Sequence, residues 1–191
     1  EGSLWTLAPE LQNDPRLVRG RELWEVAAYD EAIAEFDDIV SANMENALAS
    51  YQLAIYFRGI GAYYNAIVAA SYVIRNAQIG TLEAPAYIAR MRYPAYYLDI
   101  VQDVSTRRGI DPLLMFSLIR HESLFDTYAT AAAGEKGLMQ VIPSTAAYIA
   151  TQLQWSDYQH TDLFRPYAGI EFGAYYLDEQ LERFDNNATA A

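Results

Sequence analysis

The run LLMFSLIRHESLFD, residues 113–126, ends an apolar helical pattern on a carboxylate. Met115, Leu118, Ile119 and Glu122 recur at spacings of three, four and seven, so they share one stripe of a helix. Leucine would ordinarily continue such a stripe. A glutamate there reaches solvent, pairs with a cation such as Arg107, Arg108 or Arg120, or performs chemistry. A helix opened by Asp111 as cap and Pro112 at its first position places Glu122 in its last turn. The carbonyl ends of that turn disfavour a second negative charge, and apolar neighbours disfavour ionisation as well. Both effects favour the neutral acid, which is the form a glutamic general acid needs at neutral pH. His121 has no second histidine at metalloprotease spacing, and His160 stands alone in a polar stretch. No metal or other cofactor is therefore expected. The chain has no cysteine, which removes a thiol nucleophile, a disulfide framework and Cys-based metal sites together.

The composition narrows the partners. The net charge is −12, and neither part of the chain is basic: residues 1–92 carry 7 basic and 12 acidic side chains, residues 93–191 carry 6 and 13. This argues against a nucleic-acid backbone or an anionic membrane surface as partner. No run of 18 apolar residues occurs, so no membrane-spanning helix is expected. Sixteen Tyr and three Trp suit either a carbohydrate cleft or plain helix–helix packing. The chain opens on Glu1 without a signal peptide, and it reads as a processed or excised piece of a longer product.

The elements that must hold Glu122 are helices. Residues 1–20 read as an irregular or briefly helical lead-in, and helices follow near 21–28, 30–42, 45–58 and 62–77. Ala28 and Ala62, Tyr29 and Tyr63, Ala32 and Ala66, and Ile33 and Ile67 are identical pairs 34 positions apart. Thirty-four is the tetratricopeptide period, so residues 1–92 are expected to stack as helical hairpins. A connector at 79–94 leads to a helix at 95–108, the helix starting at Asp111, another opened by Pro143, and a last one over 168–184. Only a few residues near GLMQV hint at strand. The fold class is all-α, or nearly so.

GIDPLLMFSLIRHESLFD and AAAGEKGLMQVIPSTA together resemble the catalytic domain of the soluble lytic transglycosylases, whose signature is Glu-Ser followed by Gly-Leu-Met-Gln. DLFRPYAGIEFGAYYLDEQLERF is similar to that family's later segment, which ends in Gly-x-x-Tyr-Leu. The resemblance covers residues 93–191, and the helical first part resembles the superhelix that precedes this domain in large members. It implies a lysozyme-like domain, truncated at its C-terminus just short of the family's Ala-Tyr-Asn-Ala-Gly stretch. It also implies an extracytoplasmic enzyme that cuts the β-1,4 bond between N-acetylmuramic acid and N-acetylglucosamine in peptidoglycan without consuming water. By the same resemblance Glu122 acts as acid and then as base. Ser123, Gly137, Leu138, Met139 and Gln140 would bind substrate, while Tyr176 is expected to pack rather than to touch it. The sequence departs from the family at Ala131, where serine is usual, and at Glu135, where alanine is. Glu135 reads as a turn residue paired with Lys136. Two other readings stay open: a lysozyme-type hydrolase of the same bond, and a non-catalytic glycan-binding or scaffolding protein that holds partners on its helical repeats.

Overall fold

In the computed structural model, which describes residues 4–188, every regular element is helical, and the chain divides into two units between Pro94 and Ala95. The first unit contains α1 (Pro9–Gln12), α2 (Pro15–Glu25), α3 (Tyr29–Ala42), α4 (Ala47–Ile60), α5 (Tyr63–Asn76) and α6 (Ala86–Arg92). Helices α2 with α3 and α4 with α5 form the closest pairs. Their shared core includes Leu53 and the tilted rings of Phe36 and Phe57, 4.7 Å apart.

The offset of 34 is also an offset in backbone conformation. Ala28 (φ −83°, ψ 68°) and Ala62 (φ −77°, ψ 68°) cap helices of 14 residues each, after residues of positive φ, Ala27 and Gly61. Ala32 and Ala66, one turn into those helices, are fully buried, where a larger side chain would push neighbouring helices apart.

Two boundaries differ from expectation. The helix expected over 21–28 runs instead over Pro15–Glu25, because Asp14 accepts a hydrogen bond from Arg16 N at 2.9 Å and Pro15 occupies the first helical position. The chain then turns at Ala27, whose φ of 62° cannot continue a helix. The stretch expected as connector contains α6.

The second unit holds α7 (Leu98–Arg108), α8 (Pro112–Ser123), α9 (Pro143–Gln152), a 3-10 helix (His160–Phe164) and α10 (Pro166–Arg183). The strand hint near GLMQV amounts to two isolated antiparallel bridges, Thr130 with Lys136 and Lys136 with Val141. Helix α10 is the hub. Eight of its residues, Ala168 to Ala174 and Leu177, are buried, and it packs against α7, α9 and the 3-10 helix.

One of those buried residues is charged. The Glu171 carboxylate receives Arg107 Nη2 and Arg108 Nη2, each at 2.5 Å, and Arg108 also lies 3.5 Å from Asp178. Two of the three arginines named as partners for Glu122, Arg107 and Arg108, are thus engaged elsewhere. Burial alone would raise the Glu171 carboxyl, but the hydrogen bonds and charge of Arg107 and Arg108 outweigh it and hold it below the ordinary glutamate range.

The loop between α8 and α9 is tied down at several points. Thr127 Oγ1 donates to Phe164 O at 2.8 Å, and His160 Nε2, facing a carbonyl and so the protonated nitrogen, donates to Gly134 O at 2.7 Å. Gly137 sits at φ +74°, where a Cβ would overlap the carbonyl oxygen of Leu163. Glu135 lies in the loop just after the turn at Ala132 and Ala133, and its partner differs from expectation. Its carboxylate accepts from Ala133 N at 2.9 Å, while Lys136 lies over the Phe164 ring and near Thr130.

Two outcomes are expected. Glu171→Gln lowers stability at pH 7 by on the order of 3 kcal/mol, since it removes the buried anion that Arg107 and Arg108 share and leaves them only the more exposed Asp103 and Asp178. A depressed folded-state carboxyl stabilises above its unfolded value, near 4.3, and loses that contribution as pH falls through the folded value. The difference between wild type and variant in urea unfolding therefore shrinks steadily below about pH 4, and a gap that is the same at pH 7 and pH 3 would contradict the account. Gly137→Ala costs at least about 2 kcal/mol, combining left-handed backbone with overlap, and lowers the thermal midpoint followed by near-ultraviolet circular dichroism.

Candidate functional site

Helix α8 begins as its sequence dictates, with Asp111 Oδ1 accepting from Leu113 N at 2.8 Å. Met115 and Ile119 point into the core and are fully buried. Leu118 and Glu122, one turn apart, instead line a cavity of about 330 Å³. That volume lies at the small end of the range of ligand clefts, roughly 300–1,000 Å³. Glu122 is the penultimate residue of α8, and its side chain is 38% exposed, with His121 Nδ1 3.5 Å from Oε1. The apolar enclosure expected for it is therefore only partial: one side of the carboxyl meets solvent and cavity.

The opposite wall comes from residues 139–142. Ser123, next to Glu122, is buried, and its hydroxyl lies 3.1 Å from Ile119 O and 3.0 Å from Leu138 O. It binds the wall to α8 rather than reaching into the cavity. The Leu138 side chain is fully buried behind the wall, and Gly137 approaches Leu163, not a ligand. Of the six residues expected at the site, Glu122, Met139 and Gln140 line the cavity; Ser123, Gly137 and Leu138 hold those three in place.

Gln140 differs in detail from its expected behaviour. Its φ is +47°, and its Nε2 donates to Gly137 O at 2.9 Å and Ala129 O at 3.2 Å. Both neighbours are carbonyl oxygens, so the amide orientation is fixed and its two N–H donors are used. Only Oε1 remains for a ligand. Met139 is seated by a glycine: a Cβ on Gly173 of α10 would overlap Cβ and Cγ of Met139.

Sequence reasoning passed over the α10 side of the cavity. Gly173, Tyr176, Leu177 and Gln180 all line it, joined by Thr145 from α9 and by Val141 and Ile142. Their spacing of three, four and seven is the helical stripe that singled out Glu122, and it was the available signal. Tyr176, expected to pack, is 46% exposed and faces the cavity. Glu122 is the one carboxylate among the lining residues, and no Lys or Arg is among them. Such a site can give and take back a proton at one point, beside walls suited to a ring with apolar and polar faces.

Comparison with known proteins agrees. The family described as "Transglycosylase SLT domain" matches residues 99–191. A membrane-bound lytic murein transglycosylase C from Actinobacillus pleuropneumoniae serotype 5b is 36% identical over 96 residues, which cover 47% of this chain and 26% of that protein. The protein of the same description from Mannheimia succiniciproducens is 39% identical over 83 residues, covering 42% of this chain and 23% of its own length. The crystal structure of the 70 kDa soluble lytic transglycosylase from Escherichia coli shares the fold, with a TM-score of 0.75 and 21% identity over 98% of this chain and 28% of that one. The chain thus spans about a quarter of the length of the proteins it matches. The chain shares the helical, lysozyme-like fold of that solved structure, and residues 99–191 are similar to the transglycosylase SLT domain.

Proposed function

We propose that the protein is a peptidoglycan lytic transglycosylase, cleaving the β-1,4 bond between N-acetylmuramic acid and N-acetylglucosamine outside the cytoplasmic membrane. The residues that carry the reading are Glu122 as acid and base, with Met139 and Gln140 as cleft walls, and residues 93–191 as the catalytic domain. The observation that favours it most is the solitary carboxylate in the cavity. Glycosidases that use water need a second carboxylate, either to activate the water or to form a glycosyl-enzyme. A sugar that supplies its own nucleophile does not.

The reaction balances around one side chain. The Glu122 carboxylic acid donates its proton to the glycosidic oxygen, and the bond from the anomeric carbon to that oxygen breaks. The carboxylate then takes the proton of the muramoyl 6-hydroxyl as that oxygen bonds to the anomeric carbon. A 1,6-anhydro ring forms, no water is consumed, and the acid is restored.

Digestion of purified peptidoglycan, with products read by mass spectrometry, tests the reading. Anhydro-ended fragments are expected, and Glu122→Gln should lower their rate by at least about a hundredfold. Reducing ends would instead mean hydrolysis. Glycan binding with no product, from folded protein, would favour the non-catalytic reading.

A further inference from the structure

Residues 136–141 form a tight hairpin. Lys136 and Val141 exchange both backbone hydrogen bonds at 3.3 Å, and Met139 and Gln140 at the tip line the cavity. The turn before the hairpin is held from outside. Gly134 sits at φ +85°, and its carbonyl accepts from His160 Nε2 at 2.7 Å. A carbonyl cannot donate, so Nε2 carries the proton, and the lone pair at Nδ1 of the neutral ring accepts from the Tyr158 hydroxyl at 2.9 Å. Burial first, and then the charge of Asp162, push that hydroxyl up to about 12, so it keeps the proton it donates. Tyr158 thus sets the tautomer in which His160 can hold Gly134.

Both ends of this chain of contacts return to the wall. The Tyr158 ring stacks on Phe172 of α10, with centroids 5.3 Å apart, and Phe172 precedes Gly173, on which Met139 is seated. Met139, Val141, Tyr158 and Phe172 pack in one apolar cluster. At the other end, a Cβ on Gly134 would come to 3.3 Å from Cγ of Pro143, which opens α9 directly after Val141 and Ile142 of the wall. The contacts close a circuit, from Phe172 through Tyr158, His160 and Gly134 to the hairpin and back. Its apolar arc can slide, whereas the arc from Tyr158 to Gly134 rests on two hydrogen bonds of fixed direction, both made by His160. Thr127 and Lys136 meet Phe164 at the far end of the 3-10 helix and leave the turn at Gly134 to His160.

Resting on the transglycosylase reading, we infer that His160, in the tautomer set by Tyr158, is a positioning residue for that reaction: through the Gly134 carbonyl it fixes the hairpin that presents Met139 and Gln140 to the substrate. His160 itself does not line the cavity.

Three variants of the whole protein test this. His160→Leu removes both hydrogen bonds, His160→Gln restores a donor near the place of Nε2, and Tyr158→Phe keeps the ring on Phe172 but frees the tautomer. Rates are read on soluble peptidoglycan fragments at a temperature where circular dichroism shows each variant folded. In His160→Leu, kcat falls about tenfold with KM changed less than about threefold, because a displaced wall misaligns the bond being cut more than it weakens binding. Tyr158→Phe falls less, in the same direction, and His160→Gln recovers most of the wild-type kcat. The second readout is the methyl carbon resonance of Met139, one of four methionines. It shifts in His160→Leu and returns in His160→Gln, while buried Met91 in the first unit is the unmoved reference. If His160→Leu does not fold, Tyr158→Phe decides by the same two readouts. Wild-type kcat in a folded His160→Leu, a loss that His160→Gln does not recover, or an unmoved Met139 signal each overturns the inference. Anhydro products with Met139 unmoved defeat the role of His160 alone. A Met139 signal that follows the variants in a protein forming no anhydro products defeats the transglycosylase reading and leaves His160 as the residue that positions the wall.

Discussion

The cavity depends on backbone meeting backbone at the carbonyl of Leu163. Gly137 from the loop and Gly169 from α10 both face that oxygen with no Cβ between them, a Cβ on Gly169 coming to 2.9 Å from it. Because nothing intervenes, residues 138–140 lie directly on α10, and Met139 drops over Gly173. Ser123 fixes the same segment from the other side through Leu138 O. The wall facing Glu122 is therefore clamped between the end of α8 and the middle of α10. A wall held by packing and backbone contact has few alternative positions.

That clamp explains which parts of the site were legible in the sequence. The anomaly at Glu122 was, because a carboxylate in an apolar stripe is exposed by spacing alone, and the structure puts that side chain on the cavity wall. Helix starts at Asp111–Pro112 and Pro143 were legible for the same local reason. The 34-residue offset recurs in backbone angle at Ala28 and Ala62, which is a local likeness and does not make the first unit a tetratricopeptide array. What failed was the assignment of roles whose partners lie far along the chain. Ser123 and Gly137 have the right types to touch a sugar, but their partners, Leu138 and Leu163, are chosen by the tertiary fold. Gln140 looked able to donate and accept because its backbone surroundings, Ala129 O and Gly137 O, were not visible in a motif of four residues. Ala27 gave no warning of a left-handed turn, since alanine carries no preference for one.

The opposite stripes of α10 do separate work, and one constrains the other. Glu171, Tyr175 and Asp178, spaced by four and three, all engage Arg108, whose guanidinium lies 5.0 Å from the Tyr175 ring. Gly173, Tyr176, Leu177 and Gln180 form the other stripe and line the cavity. In a helix of 3.6 residues per turn, each residue of rotation is about 100°, so α10 cannot turn to reposition the cavity stripe without withdrawing Glu171 from two arginines. Moving that carboxylate away would leave charge uncompensated in a buried place, which is far more costly than the slippage of apolar side chains past one another. The ion cluster on α7 therefore sets the rotation of α10, the rotation places Gly173 beneath Met139, and Met139 sets the wall that faces Glu122. A buried charge on the far side of α10 thereby fixes the wall that faces Glu122.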